Sequence, residues 1–134
     1  MTATDRAREL TVAAAAAASD KLADSILAFD VSEQLVITDV FLICSASNDR
    51  QVGAVVDAVE EALRGLGERP VRREGERERR WVLLDYIELV VHVQREEERA
   101  FYSLERIWRD CPVIELPAAV TSGRSAPGGA EPVR

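Results

Sequence analysis

One histidine, His92, and two cysteines, Cys44 and Cys111, are the side chains of this 134-residue chain able to serve as an imidazole base, a thiolate nucleophile or a soft metal ligand. Any Ser-His-Asp or Cys-His site must therefore be built on His92. The histidine lies inside the apolar stretch 89–93, and no glycine-flanked nucleophile elbow stands elsewhere in the sequence. A strand histidine that hydrogen-bonds within the fold, or faces a partner, accounts for it as well. Metal binding would require both cysteines and His92 to converge with a fourth ligand, without any of the short spacings that zinc sites use. We therefore expect reduced thiols, no metal, no cofactor and no catalytic residue.

A second set of polar side chains, Ser45, Ser47 and Arg50, follows the apolar run 40–44 and opens a helical pattern. Strand-to-helix junctions of this kind present backbone N–H groups at the carboxyl edge of a sheet, where α/β proteins often bind ligands. Phosphate cradles, however, need glycine for close backbone approach, and residues 45–49 contain none. Serine and asparagine at such a place also serve as helix caps. A nucleotide-binding or nucleotidyltransferase-like enzyme would draw on Ser45, Ser47, Arg50 and Asp85. Nucleotidyl transfer uses paired carboxylates around two metals about 4 Å apart. No Asp-x-Asp after a Gly-Ser turn supplies them.

The third set is mostly apolar. Trp81 and Tyr86, two of seven aromatics, bracket Val82, Leu83, Leu84 and Asp85. Trp and Tyr are enriched among binding hot spots. Strand alternation sends Trp81, Leu83 and Asp85 to one face and Val82, Leu84 and Tyr86 to the other. If helices cover one face only, the other exposes an apolar patch of the kind that marks a protein partner. If they cover both, these residues are core. Trp81, Leu83, Leu84, Asp85, Tyr86 and His92 are taken as candidate partner contacts.

The elements that must carry these residues follow from periodicity and punctuation. Residues 5–23, with unbroken alanine from 13 to 18, predict a first helix. The runs 26–31 and 40–44 predict buried strands. Val52, Val55, Val56, Val59, Leu63 and Leu66 fall at three- and four-residue steps, which predicts an amphipathic helix capped by Ser47 or Asn48 and stopped by Gly65 and Gly67. Residues 68–80 hold four Glu and six Arg around Pro70 and Gly75, suiting a solvated connector with an edge strand at Val71. Runs 81–86 and 89–93 predict an antiparallel hairpin, although Ile87-Glu88 is poor turn chemistry. Residues 96–109 predict a helix with Phe101, Leu104 and Trp108 on one face, ended by Pro112. Strands interleaved with helices in this order predict an α/β or α+β domain with a mixed sheet covered by helices.

Length and charge bound the remainder. A chain of 134 residues has room for one core, and a single domain is expected over 1–114. Residues 115–134, with several prolines and glycines and no aromatic, are expected to be a disordered tail. Seventeen basic against twenty-four acidic residues give a net charge of −7, which argues against DNA and anionic membrane as partners. No stretch reaches the roughly 18 apolar residues of a membrane helix, and the first residues lack a signal-peptide design. A cytoplasmic protein is expected.

Several linked motifs then resemble one family. They are Thr-Asp-Val-Phe-Leu-Ile-Cys-Ser-Ala-Ser-Asn-Asp-Arg-Gln-Val at 38–52, Glu-Gly at 74–75, Trp-Val-Leu-Leu-Asp-Tyr at 81–86, Val-Val-His-Val at 90–93 and Arg-Ala-Phe-Tyr-Ser-Leu-Glu at 99–105. In order and spacing, from Ala7 to Trp108, they are similar to the ribosomal silencing factor family, also called the Iojap family. The resemblance implies a five-stranded mixed β-sheet packed with helices, in a nucleotidyltransferase-like topology without that activity. It implies a translation repressor that binds the large ribosomal subunit through large-subunit ribosomal protein fourteen, blocks joining of the small subunit when nutrients are scarce, and forms a homodimer when free. Two departures from the family pattern are Ser45-Ala46 in place of Thr-Gly and Ile87-Glu88 in place of Gly-Asp.

Overall fold

The alanine-rich opening forms helix α1 (Asp5–Asp20) in the computed structural model, which describes residues 2–122. Thr4 caps the helix, its Oγ1 accepting a hydrogen bond from the Ala7 N–H at 3.0 Å. Ala7, Ala14, Ala15 and Ala18 are fully buried, so the run gives close packing as well as helix propensity. α1 ends at Asp20 rather than at residue 23, because the chain turns through Leu22 in the left-handed region. Helix α2 (Asp49–Arg64) is the one the valine spacing predicts, with Val52, Val55, Val59 and Leu63 fully buried. Its cap is Asn48, whose Oδ1 accepts from the Gln51 N–H at 2.9 Å.

Five strands, β1 (Asp24–Asp30), β2 (Val40–Ala46), β3 (Arg72–Glu74), β4 (Trp81–Asp85) and β5 (Leu89–Arg95), form one mixed sheet in the order β1-β2-β5-β4-β3. β2 and β5 run parallel, and the other neighbours are antiparallel. α1 and α2 cover one face, burying Leu42, Cys44, Val82, Leu84, Val91 and Val93 beneath them. A smaller cluster of Phe29, Val31, Ile43 and Cys111 occupies the other face. The expected edge strand begins one residue after Val71, whose N–H donates to the Asp85 carbonyl at 2.8 Å.

The β4–β5 hairpin forms without glycine. Ile87 takes a positive φ of 72°, a costly conformation for a β-branched residue. The Asp85 carboxylate accepts the Ile87 N–H at 2.8 Å, and the Tyr86 N–H reaches the Leu89 carbonyl at 2.8 Å. Strand pairing and an aspartate turn thus replace the missing turn residue.

The helix expected over 96–109 is broken. α3 (Glu96–Tyr102) and α4 (Leu104–Ile107) are separated by Ser103, which sits at φ 48° and ψ 54°. The break resets the helical phase, so Phe101 does not share an inner face with Leu104 and Trp108. It is 80% exposed, while Leu104 and Trp108 pack on the smaller cluster. Residues 112–114 then cover the β1 edge: the Asp30 backbone N–H donates to the Pro112 carbonyl and the Ile114 backbone N–H to the Ala28 carbonyl, both at 2.8 Å.

Within the segment expected as a tail from residue 115, residues Ala118–Ser122 form α5, which meets α1 and β1. Val120 is 4% exposed there and Leu116 packs on the core, so this stretch has apolar anchors that its proline and glycine content concealed. Residues 123–134 lie outside the described residues. No described helix is long and apolar enough to cross a membrane.

Candidate partner-binding face

Alternation along β4 decides which candidate contacts a partner could touch. Val82 and Leu84 point under the helices and are 1% and 0% exposed, and Tyr86 joins them at 4%. Leu84 and Tyr86 therefore belong to the core and not to an outer surface, because α1 and α2 cover their face. Burial also pushes the Tyr86 phenol up to about 12. Trp81, Leu83 and Asp85 lie on the opposite face, partly exposed.

Across that face runs a row of rings. Trp108 meets Phe41 edge-on with centroids 5.2 Å apart, and Phe41 meets His92 at 4.9 Å. His92 is 6.0 Å from Trp81, Trp81 is 4.9 Å from Tyr102, and Tyr102 is 4.9 Å from Phe101. Along the row Trp108 and Phe41 are half-buried and His92 is buried, whereas Tyr102 is 50% and Phe101 80% exposed. Register explains the order, since Ile43 of β2 and Leu83 of β4 both stand opposite His92. Sequence reasoning missed Phe101 and Tyr102 because it treated residues 96–109 as one helix.

His92 is itself 4% exposed, so it makes no broad surface contact. Its Nδ1 accepts a hydrogen bond from the Trp81 indole Nε1–H at 3.1 Å. Desolvation in this apolar setting lowers the imidazole pKa to about 4, leaving it neutral near pH 7. Burial raises the Cys44 thiol to about 12, far from thiolate chemistry. Asp85 is committed on two sides, to the Ile87 N–H and to Arg72 Nη2 at 3.5 Å.

Ser45, Ser47 and Arg50 do not converge. Ser45 is 3% exposed and its hydroxyl donates to the Asp24 carbonyl at 3.2 Å. The Ser47 N–H and hydroxyl donate to Gln51 Oε1 at 2.7 and 2.8 Å, and Gln51 Nε2 in turn donates to the Lys21 and Leu22 carbonyls. Ser47 thereby ties the start of α2 to the end of α1. Arg50 borders a shallow depression with Asn48, Asp49 and Arg95. Ser45 instead lines a cleft of about 310 Å³ with Asp24, Glu96, Arg99, Ser103 and Glu105. Arg99, 7% exposed, braces that cleft by donating to Glu105 and, from Nη2, to the Ser25 carbonyl at 2.8 Å. Nothing in a Glu- and Arg-rich helix sequence marks that one arginine as buried. Among the described residues, no group of three or more His, Cys, Asp or Glu side chains is gathered to hold a metal ion.

The profile of a family described as "Ribosomal silencing factor during starvation" matches residues 4–131. The chain is 41% identical over 103 residues to a ribosomal silencing factor of Bacillus subtilis, covering 77% of this chain and 87% of that one. It is 36% identical over 114 residues to one from Halalkalibacterium halodurans, covering 85% of this chain and 97% of the relative. A crystal structure from Bacillus halodurans superposes with a TM-score of 0.71 at 36% identity, covering 81% of this chain and 98% of the other.

Proposed function

Because the chain belongs to the ribosomal silencing factor family, we propose that it binds the large ribosomal subunit through large-subunit ribosomal protein fourteen and keeps the small subunit from joining. Translation is thereby repressed when nutrients are scarce, and the site of action is the cytoplasm. The observation that carries this reading is the outer side of β4, where Trp81 and Leu83 stand on a rigid sheet that α1 and α2 leave open. Asp85 adds a carboxylate beside them. A net charge of −7 suits a basic ribosomal protein and disfavours the RNA around it.

The mechanism needs no reaction, since a folded domain on the intersubunit face excludes the other subunit by its volume. The nucleotide-enzyme alternative is weakened by geometry: Ser45 lies at the end of β2 opposite Gln94, whereas Asp85 stands opposite Val90 at the other end of β5. Sedimentation of purified subunits with added protein tests the proposal. Loss of the joined particle is expected, and unchanged joining at saturating protein overturns it. Calorimetry with nucleoside triphosphate and magnesium tests the alternative, which turnover would restore.

A homodimer of the free protein is part of the same proposal. Phe101 and Tyr102 extend the Trp81 face into water, and a second copy covers such a patch until the ribosome competes for it. Light scattering should give twice the chain mass; a monomer at every concentration removes the dimer.

A further inference from the structure

We propose that His92 is a positioning residue for partner binding: it holds the Trp81 indole in one orientation on the outer face while staying buried itself. The proposal rests on docking of the ribosomal partner at Trp81. A partly exposed tryptophan has several rotamers open to it, and an anchor that must be ordered on docking loses affinity. Here the indole is restrained before any partner arrives. Its Nε1–H donates to His92 Nδ1 at 3.1 Å, and the Tyr102 ring lies against it with centroids 4.9 Å apart. The imidazole is fixed in turn, with Phe41 edge-on at 4.9 Å and with Ile43 and Leu83 as its cross-strand neighbours. The anchor is thus oriented from one strand further in than the residue that carries it.

The direction of this hydrogen bond fixes the tautomer. An indole N–H only donates, so Nδ1 keeps its lone pair and Nε2 carries the proton. A merely structural histidine and a positioning histidine then predict opposite orders for two replacements. Phenylalanine retains a ring against Phe41 and buries no polar atom, so it is the more stable substitute. Asparagine places Oδ1 the same number of bonds from Cβ as Nδ1, so it is the substitute that keeps the acceptor.

The experiment compares full-length His92→Phe, His92→Asn and Trp81→Ala with the unaltered protein. Thermal midpoint, indole proton–nitrogen resonances and binding to purified large subunits are measured for each. The chain has two tryptophans, so Trp108 provides a reference indole signal. His92→Phe should shift the Trp81 signal alone and weaken binding about tenfold despite a midpoint at or above that of His92→Asn, a loss in keeping with reordering one large side chain. His92→Asn should bind within about threefold of the unaltered protein, as expected of a retained acceptor. Undiminished binding by His92→Phe overturns the proposal, as do affinities that simply follow the two midpoints. If Trp81→Ala binds fully, the docking site itself is elsewhere and the positioning role falls with it, even where the indole signal shifts as expected.

Discussion

The Asp30 carboxylate accepts a hydrogen bond from the Ala3 N–H at 2.9 Å, fastening the opening residues of the chain to the far end of β1. The same carboxylate takes the Ser32 N–H at 3.0 Å and the Ser32 hydroxyl at 2.6 Å, with Arg8 3.7 Å away. Burial alone would raise its pKa, but the Ser32 and Ala3 hydrogen bonds and the charge of Arg8 outweigh that and hold it below the ordinary value. Asp30→Asn replaces one acceptor oxygen by an amide that faces donors, and should cost about 1–3 kcal/mol of stability. The sign with pH follows from the lowered value: the contribution is present above the unfolded carboxylate pKa and is lost as pH falls through the folded one. Urea midpoints at neutral and acid pH check this, and Asp30→Asn should flatten that acid limb.

A second pH step belongs to His92, whose pKa falls from 6.5 to about 4 because burial removes water from the imidazolium. Unfolded chains take up the proton between those values while the folded protein does not. Stability is therefore greatest above pH 6.5 and declines as pH falls toward 4, by roughly 3 kcal/mol in all for a shift of this size. His92→Phe should abolish the step, which denaturant titration at pH 7.5 and 4.5 resolves. An unchanged decline in that variant would assign the loss to other groups.

How much of this was legible depends on where the determinant lies. The face of Val82 and Leu84 could be told from that of Trp81 and Leu83, and α2 could be bounded, because burial there is written in residue spacing. The left-handed Ser103 has no such mark, so the exposed Phe101–Tyr102 pair stayed hidden inside an apparently continuous helix. Ile87 was legible as poor turn chemistry, yet strand pairing imposed the turn regardless. For His92, a polar residue in an apolar strand was visible, but its burial depends on Phe41 and Trp81 arriving from other strands. Arg99 reads as a solvated charge and is buried only because Glu105 and the Ser25 carbonyl meet it.

Gly75 holds the β3–β4 turn against the strand that carries the tryptophan. Its φ is +82°, and a Cβ there would overlap the Trp81 carbonyl oxygen, a backbone atom that cannot give way. Gly67 provides the control, with φ +87° and nothing near a Cβ. Gly67→Ala should cost only the conformational term of about 1 kcal/mol, whereas Gly75→Ala should cost more and displace Trp81. The comparison is read from thermal midpoints together with large-subunit binding. Equal losses of stability in the two variants would show that the turn absorbs the contact.

Val120 is 4% exposed where α5 meets α1 and β1, so Val120→Ala should lose about 1–2 kcal/mol for the apolar area and cavity involved. Residues 123–134 contain two prolines, three glycines and only Ala126, Ala130 and Val133 as apolar side chains. Ordering each residue costs about 1 kcal/mol or more in backbone entropy, and fully burying one valine returns only about 2 kcal/mol. Deleting residues 123–134 should therefore leave both the thermal midpoint and the large-subunit affinity unchanged, while a chain ended at Leu116 should be clearly less stable. The two truncations are compared by calorimetry and sedimentation. A lower midpoint after the shorter deletion would give these residues a structural role, and weaker binding at an unchanged midpoint would give them a place in the ribosomal contact.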